Sequence, residues 1–328
     1  MTAVARLASL ATLVVALAAL TFAPPGHAAT GTAGDHDATH TDANGAVSYQ
    51  VHVPPQQATG RPLPVVVALH GCTMTGSALN SMKDLTALNA LADREGFLVV
   101  YPSQSILRNA LLCWNALDPA HQHRATGEPA LLAGMTQDVL RDYDGDRSRV
   151  HVLGASSGAG TAVILGVTYP DVFATATSMA GGEYAVDQAD PENPDAVTPQ
   201  DTAEKALAEM GPRARAVPLL VGQGDADTTV DPLLADRLVS QFATIDTRAG
   251  TPVDDVADRV EQVDPPGKQS YTHSSYAARD GGRPLIEKYL VHGMGHAWPG
   301  PGTGPFADGQ GPDLTRIFWD FARDRRLP

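Results

Sequence analysis

The clearest chemical motif in the chain is GASSG at residues 154–158, which matches the pattern G-x-S-x-G. In this pattern the central serine lies at the tip of a sharp strand-to-helix turn and acts as a nucleophile. The flanking glycines, which allow close backbone approach, stand at the required positions only when Ser156 is central. A frame centred on Ser157 would place Ala155 and Ala159 there instead. The motif therefore predicts Ser156 as the nucleophile and gives Ser157 only a backbone role.

The acid and the base that a serine nucleophile needs occur later in the chain, in the required order. The base accepts the hydroxyl proton, the acid orients the base, and on this type of fold the chain order is serine, acid, histidine. Asp227, after a predicted strand, is the expected acid, with Asp225 and Asp231 as competitors. His296, in the segment MGHAWPG, is the expected base. His292 falls inside the last predicted strand and is expected to be structural.

Backbone and aromatic groups complete the predicted site. The oxyanion that forms when a serine attacks an ester needs two positioned N–H donors. We expect one from Ser157 and the other from Cys72, in the segment ALHGCTMTG at the end of a predicted strand. Trp114 and Trp298 are predicted walls of an acyl or aromatic substrate pocket, with plain core packing as the alternative.

The other polar motifs predict no cofactor and no metal site. The turn at residues 154–158 lacks both the G-K-[ST] of a phosphate loop and the G-x-G-x-x-G of a dinucleotide loop. The segment DYDGD at residues 142–146 lacks the glycine and glutamate positions of a calcium loop. His121 and His123 have no cysteine or carboxylate partner in view, and two cysteines cannot form a zinc site without histidines.

The elements that must position these residues alternate between strands and helices. Runs rich in β-branched residues predict strands at VSYQVHVP, PLPVVVALHG, FLVVYPS, RVHVLG, VFATATSMAG, AVPLLVGQG and RPLIEKYLVHG. Helical spacing predicts helices at SALNSMKDLTALNALADREG, MTQDVLRDY, AGTAVILGVTYP, AEKALAEM, DPLLADRLVSQF and DLTRIFWDFARD. This alternation predicts an α/β protein with a mostly parallel central sheet.

Three segments make up the predicted organisation of the chain. Residues 1–28 have an early arginine, an apolar run and small residues before Ala28, which predicts a secretory signal peptide cleaved there, with an uncleaved anchor as the alternative. Residues 29–46 are small and polar and are predicted to be a disordered mature N-terminus. Residues 47–328 are predicted to form the catalytic domain.

Several segments together resemble the secreted poly(3-hydroxybutyrate) depolymerase family of esterases, which includes feruloyl and acetylxylan esterase-like members. They are LHGCT, CWN, GE (residues 127–128) before a helix that contains methionine, DRSRVHVLGASSGAG, GDADTTV and GMGHAWPG, and the resemblance covers about residues 47–325. It implies an α/β-hydrolase fold with helices on both faces of the sheet, and the serine, acid and base identified above. It also implies a disulfide between Cys72 and Cys113. The cysteine count alone suggests a bridge in a secreted chain and leaves two free thiols as the alternative.

Two positions depart from the family pattern. Gln223 stands where the family usually has histidine after the strand that leads to the acid. Ser157 follows the nucleophile, where alanine is common. We expect no separate polymer-binding domain of the kind that many depolymerases have, because no linker with an appended module follows the last predicted helix.

Charge and motifs together predict the function. A net charge of −14 disfavours nucleic acid and anionic membrane as partners and favours a neutral substrate. We expect a secreted, extracellular serine esterase that hydrolyses a polyhydroxyalkanoate polyester or its oligomers through an acyl-enzyme. A feruloyl or acetylxylan esterase, an acyltransferase with the same triad, and a binding protein without catalysis are the alternatives. The sequence leaves the oligomeric state open.

Overall fold

The computed structural model describes residues 31–188, 193 and 196–328. The predicted signal peptide, residues 1–28, lies outside these ranges, as do residues 29 and 30. The strands are β1 (Gly34–Asp42), β2 (Gly45–Val53), β3 (Leu63–Leu69), β4 (Leu98–Ser103), β5 (Gly145–Ala155), β6 (Thr175–Met179), β7 (Leu219–Gly224), β8 (Arg259–Val263), β9 (Tyr271–Tyr276), β10 (Ile286–Val291), β11 (Trp298–Pro299) and β12 (Ala307–Asp308). The α-helices are α1 (Met82–Thr86), α2 (Leu88–Glu95), α3 (Gly127–Asp142), α4 (Ser157–Thr168), α5 (Pro199–Met210), α6 (Leu233–Arg248) and α7 (Leu314–Ala322).

Ten strands form one sheet in the order β1-β2-β4-β3-β5-β6-β7-β10-β9-β8. The six central strands from β4 to β10 are parallel, and an antiparallel pair extends the sheet at each edge. The carboxyl ends of the parallel strands therefore meet at one edge of the sheet, where open α/β folds place their functional loops.

Helices cover both faces of the sheet, as expected for the α/β-hydrolase fold. Successive side chains of β3 point to opposite faces, as the period of a strand requires. Val65, Val67 and Leu69 pack in the apolar cluster that contains residues of α3, α4, α5 and α6. Val66 and Ala68 pack in the cluster that contains residues of α1, α2 and α7. No helix in the described ranges is both long enough and apolar enough to span a bilayer.

The prediction of a disordered segment at residues 29–46 is wrong for the residues that the structure describes. Residues 34–42 form strand β1, which pairs antiparallel with β2 through a tight turn. Its side chains alternate between half-buried and exposed, and the half-buried set includes polar His36 and His40. His40 Nδ1 lies 2.6 Å from Asp138 Oδ2 on α3. Composition concealed this strand because histidines occupy two of its four half-buried positions, where aliphatic side chains are usual.

Two helices differ in extent from the predictions, and a hairpin that the sequence allows in the polar, irregular region 246–282 is present. The single helix expected over residues 77–96 is two helices, because Ala87 adopts a left-handed conformation with φ 51°. Helix α3 begins at Gly127, earlier than its apolar spacing indicated. In the irregular region 246–282, β8 and β9 pair as a hairpin and extend the sheet.

Asp246, on α6, is a fully buried carboxylic acid away from the sheet edge that carries the loops. Its Oδ1 accepts a hydrogen bond of 2.9 Å from the backbone N–H of Val217, before β7. Burial raises the pKa of Asp246 to about 8, although that hydrogen bond and the charge of Arg215 act in the opposite direction. The group is therefore protonated in the folded chain near neutral pH, and it ionises when the chain unfolds.

We predict that Asp246→Asn stabilises the protein at pH 8 by a few kcal/mol and changes little at pH 4. The pKa of Asp246 is higher in the folded chain than its ordinary value of 3.8. The wild-type free energy of unfolding is therefore highest below pH 3.8, and it decreases as the pH rises from 3.8 towards 8. The asparagine amide keeps the acceptor for Val217 and removes this loss. Urea unfolding of both proteins at the two pH values tests the prediction. An equal stability difference at pH 4 and pH 8 would contradict it.

Candidate active site

The GASSG turn joins β5 to α4 and holds Ser156 in a conformation that few residues adopt. Ser156 has φ 55° and ψ −121°, and its N–H donates to the carbonyl oxygen of Met179 on β6 at 2.9 Å. A Cβ on Gly154 would collide with the carbonyl of Gly158, and one on Gly158 would collide with the carbonyl of Leu69 on β3. Backbone strain of this kind persists only where the surrounding structure enforces it, and it is typical of functional sites.

Asp227 and His296 form a hydrogen-bonded pair beside this turn. Asp227 follows β7 and His296 follows β10, and these two strands are parallel neighbours. Oδ2 of Asp227 lies 2.8 Å from Nδ1 of His296. Oδ1 of the same carboxylate accepts hydrogen bonds from the backbone N–H groups of Thr229 at 2.8 Å and Val230 at 3.0 Å. A carboxylate bound to Nδ1 leaves Nε2 of the imidazole as the atom that can accept a proton.

The surroundings of Asp227 keep its carboxylate ionised. Burial raises the pKa of Asp227, but the hydrogen bonds from Val230, His296 and Thr229 outweigh burial and hold that pKa below its ordinary 3.8. Nε2 of Gln223 adds a further hydrogen bond to Oδ2, at 3.2 Å. The glutamine that departs from the family pattern thus contacts the expected acid directly.

The two competing aspartates have other partners. Asp225 pairs with His292, whose Nδ1 lies 2.8 Å from Oδ2, and its Oδ1 accepts from the N–H of Gly293 at 2.7 Å. Asp231 accepts from the N–H of Leu233 at the start of α6. Of the three candidate acids, the structure therefore places Asp227 against His296, and His292 belongs to a separate pair.

Two clefts meet at Ser156. The larger has a volume of about 870 Å³ and is lined by residues that include Cys72, Cys113, Trp114, Ser157 and Asp227. The smaller has a volume of about 280 Å³ and is lined by residues that include Gly71, Cys72, His296, Trp298 and Phe306. Ser156 and Cys72 line both clefts. The structure therefore brings every residue of the predicted site to one place.

The two tryptophans are mostly core residues that present an edge to the clefts. Trp298 is nearly fully buried, and its Nε1 donates to Oγ1 of Thr315 at 3.2 Å. Trp114 is equally buried, and its ring is tilted against that of His70 with centroids 5.3 Å apart. Core packing therefore explains most of their environment, and their role as pocket walls stays a prediction.

The loop that carries Cys72 is held from both sides. Cys72 and Cys113 form a disulfide with an S–S distance of 2.03 Å. The neighbouring His70 is fully buried, and its Nε2 accepts a hydrogen bond from the N–H of Gln104 at 3.0 Å. The proton of the neutral ring is therefore on Nδ1, which donates to the carbonyl of Gly71 at 2.7 Å. Burial lowers the pKa of His70 to about 4, against the opposing effect of the bond to Gly71. A neutral imidazole thus fixes the loop.

The sequence assigned no role to the side chains of His70 and Glu128, and it gave Ser157 only a backbone role. Glu128 is buried, and its two oxygens accept from the backbone N–H of Asn115 at 2.8 Å and from the Asn115 side chain at 2.6 Å. The hydroxyl of Ser157 accepts from the N–H of Trp114 at 3.3 Å, so it does more than supply a backbone N–H. The only signal for His70 was its position at the end of a buried strand.

The region around Ser156 brings together a serine hydroxyl, an imidazole and a carboxylate. No cluster of three or more histidine, cysteine, aspartate or glutamate side chains within the described ranges is placed to hold a metal ion. Within the described residues, the backbone N–H groups of Cys72 and Ser157 donate to no backbone carbonyl. Both are available to a negatively charged oxygen near Ser156.

We predict that Asp227→Asn lowers kcat for ester hydrolysis by about 10⁴-fold, whereas Asp225→Asn lowers it by less than about tenfold. Of these two aspartates, Asp227 contacts the imidazole of His296 and Asp225 contacts His292, so replacing Asp227 removes the charge that orients and stabilises the His296 ring. Steady-state kinetics of both variants, with circular dichroism to confirm folding, tests this. The reverse ranking would assign the acid to Asp225.

Comparisons with known proteins find a matching family and several relatives. Residues 47–256 match the family described as Esterase PHB depolymerase. Poly(3-hydroxyalkanoate) depolymerase C of Paucimonas lemoignei is 34% identical over 263 residues, which cover 77% of this chain and 59% of that protein. Feruloyl esterase B of Neurospora crassa is 34% identical over 140 residues, which cover 42% of this chain and 45% of that protein. The chain thus spans less than two thirds of the length of either relative.

A solved structure supports the fold. The acetyl xylan esterase from Aspergillus awamori superposes with a TM-score of 0.64, covering 80% of this chain and 94% of that one. The sequence identity is 24%, so this likeness concerns the fold alone.

Proposed function

Because the chain belongs to the Esterase PHB depolymerase family, we propose that it is a serine esterase that hydrolyses carboxylic esters through an acyl-enzyme. One observation carries the proposal: the strained Ser156 and the hydrogen-bonded pair of Asp227 and His296 lie at the same two clefts. This is the set of groups that acyl transfer by a serine requires.

In the proposed mechanism His296 accepts the hydroxyl proton of Ser156 through Nε2 while Oγ attacks the ester carbonyl carbon. The resulting oxyanion accepts hydrogen bonds from the N–H groups of Cys72 and Ser157. When the tetrahedral intermediate collapses, the C–O bond to the alcohol breaks and His296 returns the proton to the leaving oxygen. Water then attacks the acyl-enzyme by the same steps. Asp227, ionised throughout, stabilises the imidazolium that forms in each half of the cycle.

The proposed substrate is a polyhydroxyalkanoate, such as poly(3-hydroxybutyrate), or its oligomers. The larger cleft has a volume of about 870 Å³ and includes the apolar side chains of Leu117, Val186 and Leu234. The relative named poly(3-hydroxyalkanoate) depolymerase C matches over 77% of this chain. A feruloyl or acetylxylan ester is the second candidate, because the matched relatives also include proteins of those names.

We propose that the enzyme acts outside the cell. The Cys72–Cys113 disulfide supports this, because such bridges persist in oxidising compartments. The net charge of −14 supports a neutral substrate and opposes binding to nucleic acid or to anionic lipid.

The proposal is tested with wild type, Ser156→Ala and the matched control Ser157→Ala on p-nitrophenyl butyrate, methyl ferulate, acetylxylan and poly(3-hydroxybutyrate) film. We expect Ser156→Ala to lose about 10⁶-fold in kcat. We expect Ser157→Ala to retain most activity, because it keeps its N–H. Loss in Ser157→Ala with activity in Ser156→Ala would refute the assignment of the nucleophile. The film and the ferulate report the substrate class, and product analysis with an added alcohol separates hydrolysis from acyl transfer.

The pH dependence of kcat/KM provides a separate test. His296 can accept the hydroxyl proton only as a neutral imidazole, so the rate should fall on the acid side of the profile. The pKa of Asp227 is held below its ordinary 3.8, so this limb should contain one titration. Rates measured from pH 4.5 to 9 on a soluble ester check this. A flat profile down to pH 4.5 would exclude the role given to His296.

A further inference from the structure

Gln223 is a polar side chain at an apolar position of the central sheet. It belongs to β7, where alternate residues point to the same face, so it follows Leu219 and Val221 on the face that α6 covers. All three side chains are buried, and Gln223 is 0% exposed. An amide placed there gives up its contact with water, which is unfavourable unless hydrogen bonds replace that contact.

The NH2 group of Gln223 faces three oxygen atoms. Its Nε2 lies 3.2 Å from Oδ2 of Asp227, 3.1 Å from the carbonyl oxygen of Gly224 and 3.3 Å from that of Val230. Rotating the amide by half a turn would place Oε1 against these three acceptors, so the surroundings determine its orientation. Oε1 is buried and has no hydrogen-bond partner among the described residues. The amide thus leaves its own oxygen unsatisfied and directs its donor to Asp227.

Each oxygen of the Asp227 carboxylate accepts two hydrogen bonds. Oδ1 accepts from the backbone N–H groups of Thr229 and Val230, in the loop after β7. Oδ2 is shared by Nδ1 of His296 at 2.8 Å and Nε2 of Gln223 at 3.2 Å. The backbone donors on Oδ1 hold the carboxylate in place whichever residue occupies position 223. The donor from Gln223 acts instead on the oxygen that contacts the imidazole.

A donor on Oδ2 changes how strongly the carboxylate attracts a proton on the imidazole. Hydrogen bonds donated to a carboxylate favour its ionised form and make its oxygens less basic. A less basic Oδ2 stabilises the imidazolium form of His296 less. The amide of Gln223 does not titrate, so this donor is present at every pH at which the protein is folded. It therefore favours the neutral imidazole, which is the form that accepts a proton from Ser156.

Other ionisable groups near the imidazole have partners elsewhere. Asp225 and His292 are paired with each other at 2.8 Å. Asp118 and Asp231, which line the larger cleft, accept hydrogen bonds from backbone N–H groups of their own segments. Among the described residues, no lysine, arginine or glutamate lines either cleft. The carboxylate of Asp227 is therefore the charge in direct contact with the imidazole.

We propose that Gln223 is a positioning residue of the esterase reaction, which shares Oδ2 of Asp227 with His296 and so lowers the pH at which the imidazole becomes the neutral base. This deepens the proposed function and rests on it. Gln223 lines neither cleft, so it acts through Asp227 and not on the substrate. The enzyme then keeps its activity further into the acid range than the same site without this donor.

The test compares wild type with Gln223→Leu and Gln223→Met, which both remove the donor and differ in side-chain shape. We expect the acid limb of kcat/KM on p-nitrophenyl butyrate to move to higher pH by about half a unit or more in both variants. Because the rate on that limb changes about tenfold per pH unit, kcat/KM at a fixed acidic pH falls about threefold. KM should stay within about twofold of wild type, because the substrate does not contact position 223.

The matched controls are Gln57→Leu and Gln57→Met. Gln57 is also a buried glutamine whose Oε1 has no partner among the described residues, and its Nε2 donates to the carbonyl of Tyr143 at 2.6 Å. It precedes β3 and therefore lies at the edge of the sheet opposite the clefts. The controls should lose stability in urea as the Gln223 variants do and leave the acid limb in place. They separate an effect on the imidazole from the general loss of a buried hydrogen bond.

The protonation of His296 is also measured without turnover, by NMR titration of its Cε1–H, which is identified by its loss in His296→Gln. We expect the titration midpoint to rise in both Gln223 variants by the same amount as the kinetic limb, and to stay at the wild-type value in the controls. If the wild type hydrolyses none of the esters, the proposed function fails, and the NMR titration still tests the role of Gln223.

Two results would overturn the inference. One is a midpoint in the Gln223 variants that equals the wild-type value or lies below it, because the amide would then have a structural role only. The other is an equal rise in the Gln57 controls, which would show that any lost buried hydrogen bond has this effect.

Discussion

The close approach of three backbone segments at the turn between β5 and α4 is the constraint on which the rest of the site depends. Gly154 packs against the carbonyl of Gly158, and Gly158 packs against the carbonyl of Leu69 at the end of β3. Any side chain at either glycine would separate the strand, the helix and the neighbouring strand. Because these contacts are made, Ser156 is held at φ 55° and lies between the two clefts. The strain at one residue is thus balanced by packing over the sheet and helix around it.

The loops with the acid and the base are joined by backbone hydrogen bonds as well as by side chains. The N–H of Asp225 donates to the carbonyl of Val291, and that of Ala226 donates to the carbonyl of Met294. Main-chain hydrogen bonds between the segments that follow β7 and β10 therefore position the contact between Asp227 and His296. The hydrogen bond between Asp225 and His292 is a second side-chain contact between the same two segments. Positioning of this kind reduces the reorganisation that proton transfer would otherwise need.

A buried polar network lies behind the proposed oxyanion loop. His70, Gln104, Glu128 and Asn115 are linked by hydrogen bonds, and replacing one of these groups with an apolar residue would leave buried donors or acceptors without partners. The network fixes the segment that contains Cys113, and the same segment continues to Leu117 at the larger cleft. One set of interactions therefore supports both the inner surface of the larger cleft and the exposed surface at its mouth.

The sequence by itself determined the features that depend on neighbouring residues: the buried strands, the glycine frame that centres the turn on Ser156, and the alternation that predicts a mostly parallel sheet. Only the tertiary structure decided which carboxylate contacts His296, because Asp225 and Asp227 are two residues apart and their different partners come from a distant loop. Strand β1 and the role of His70 were likewise decided by tertiary contacts. A polar segment becomes a strand when a neighbouring strand pairs with it, and a histidine becomes a structural donor when burial keeps it neutral. Such effects arise between residues far apart in the chain, where local pattern carries no information.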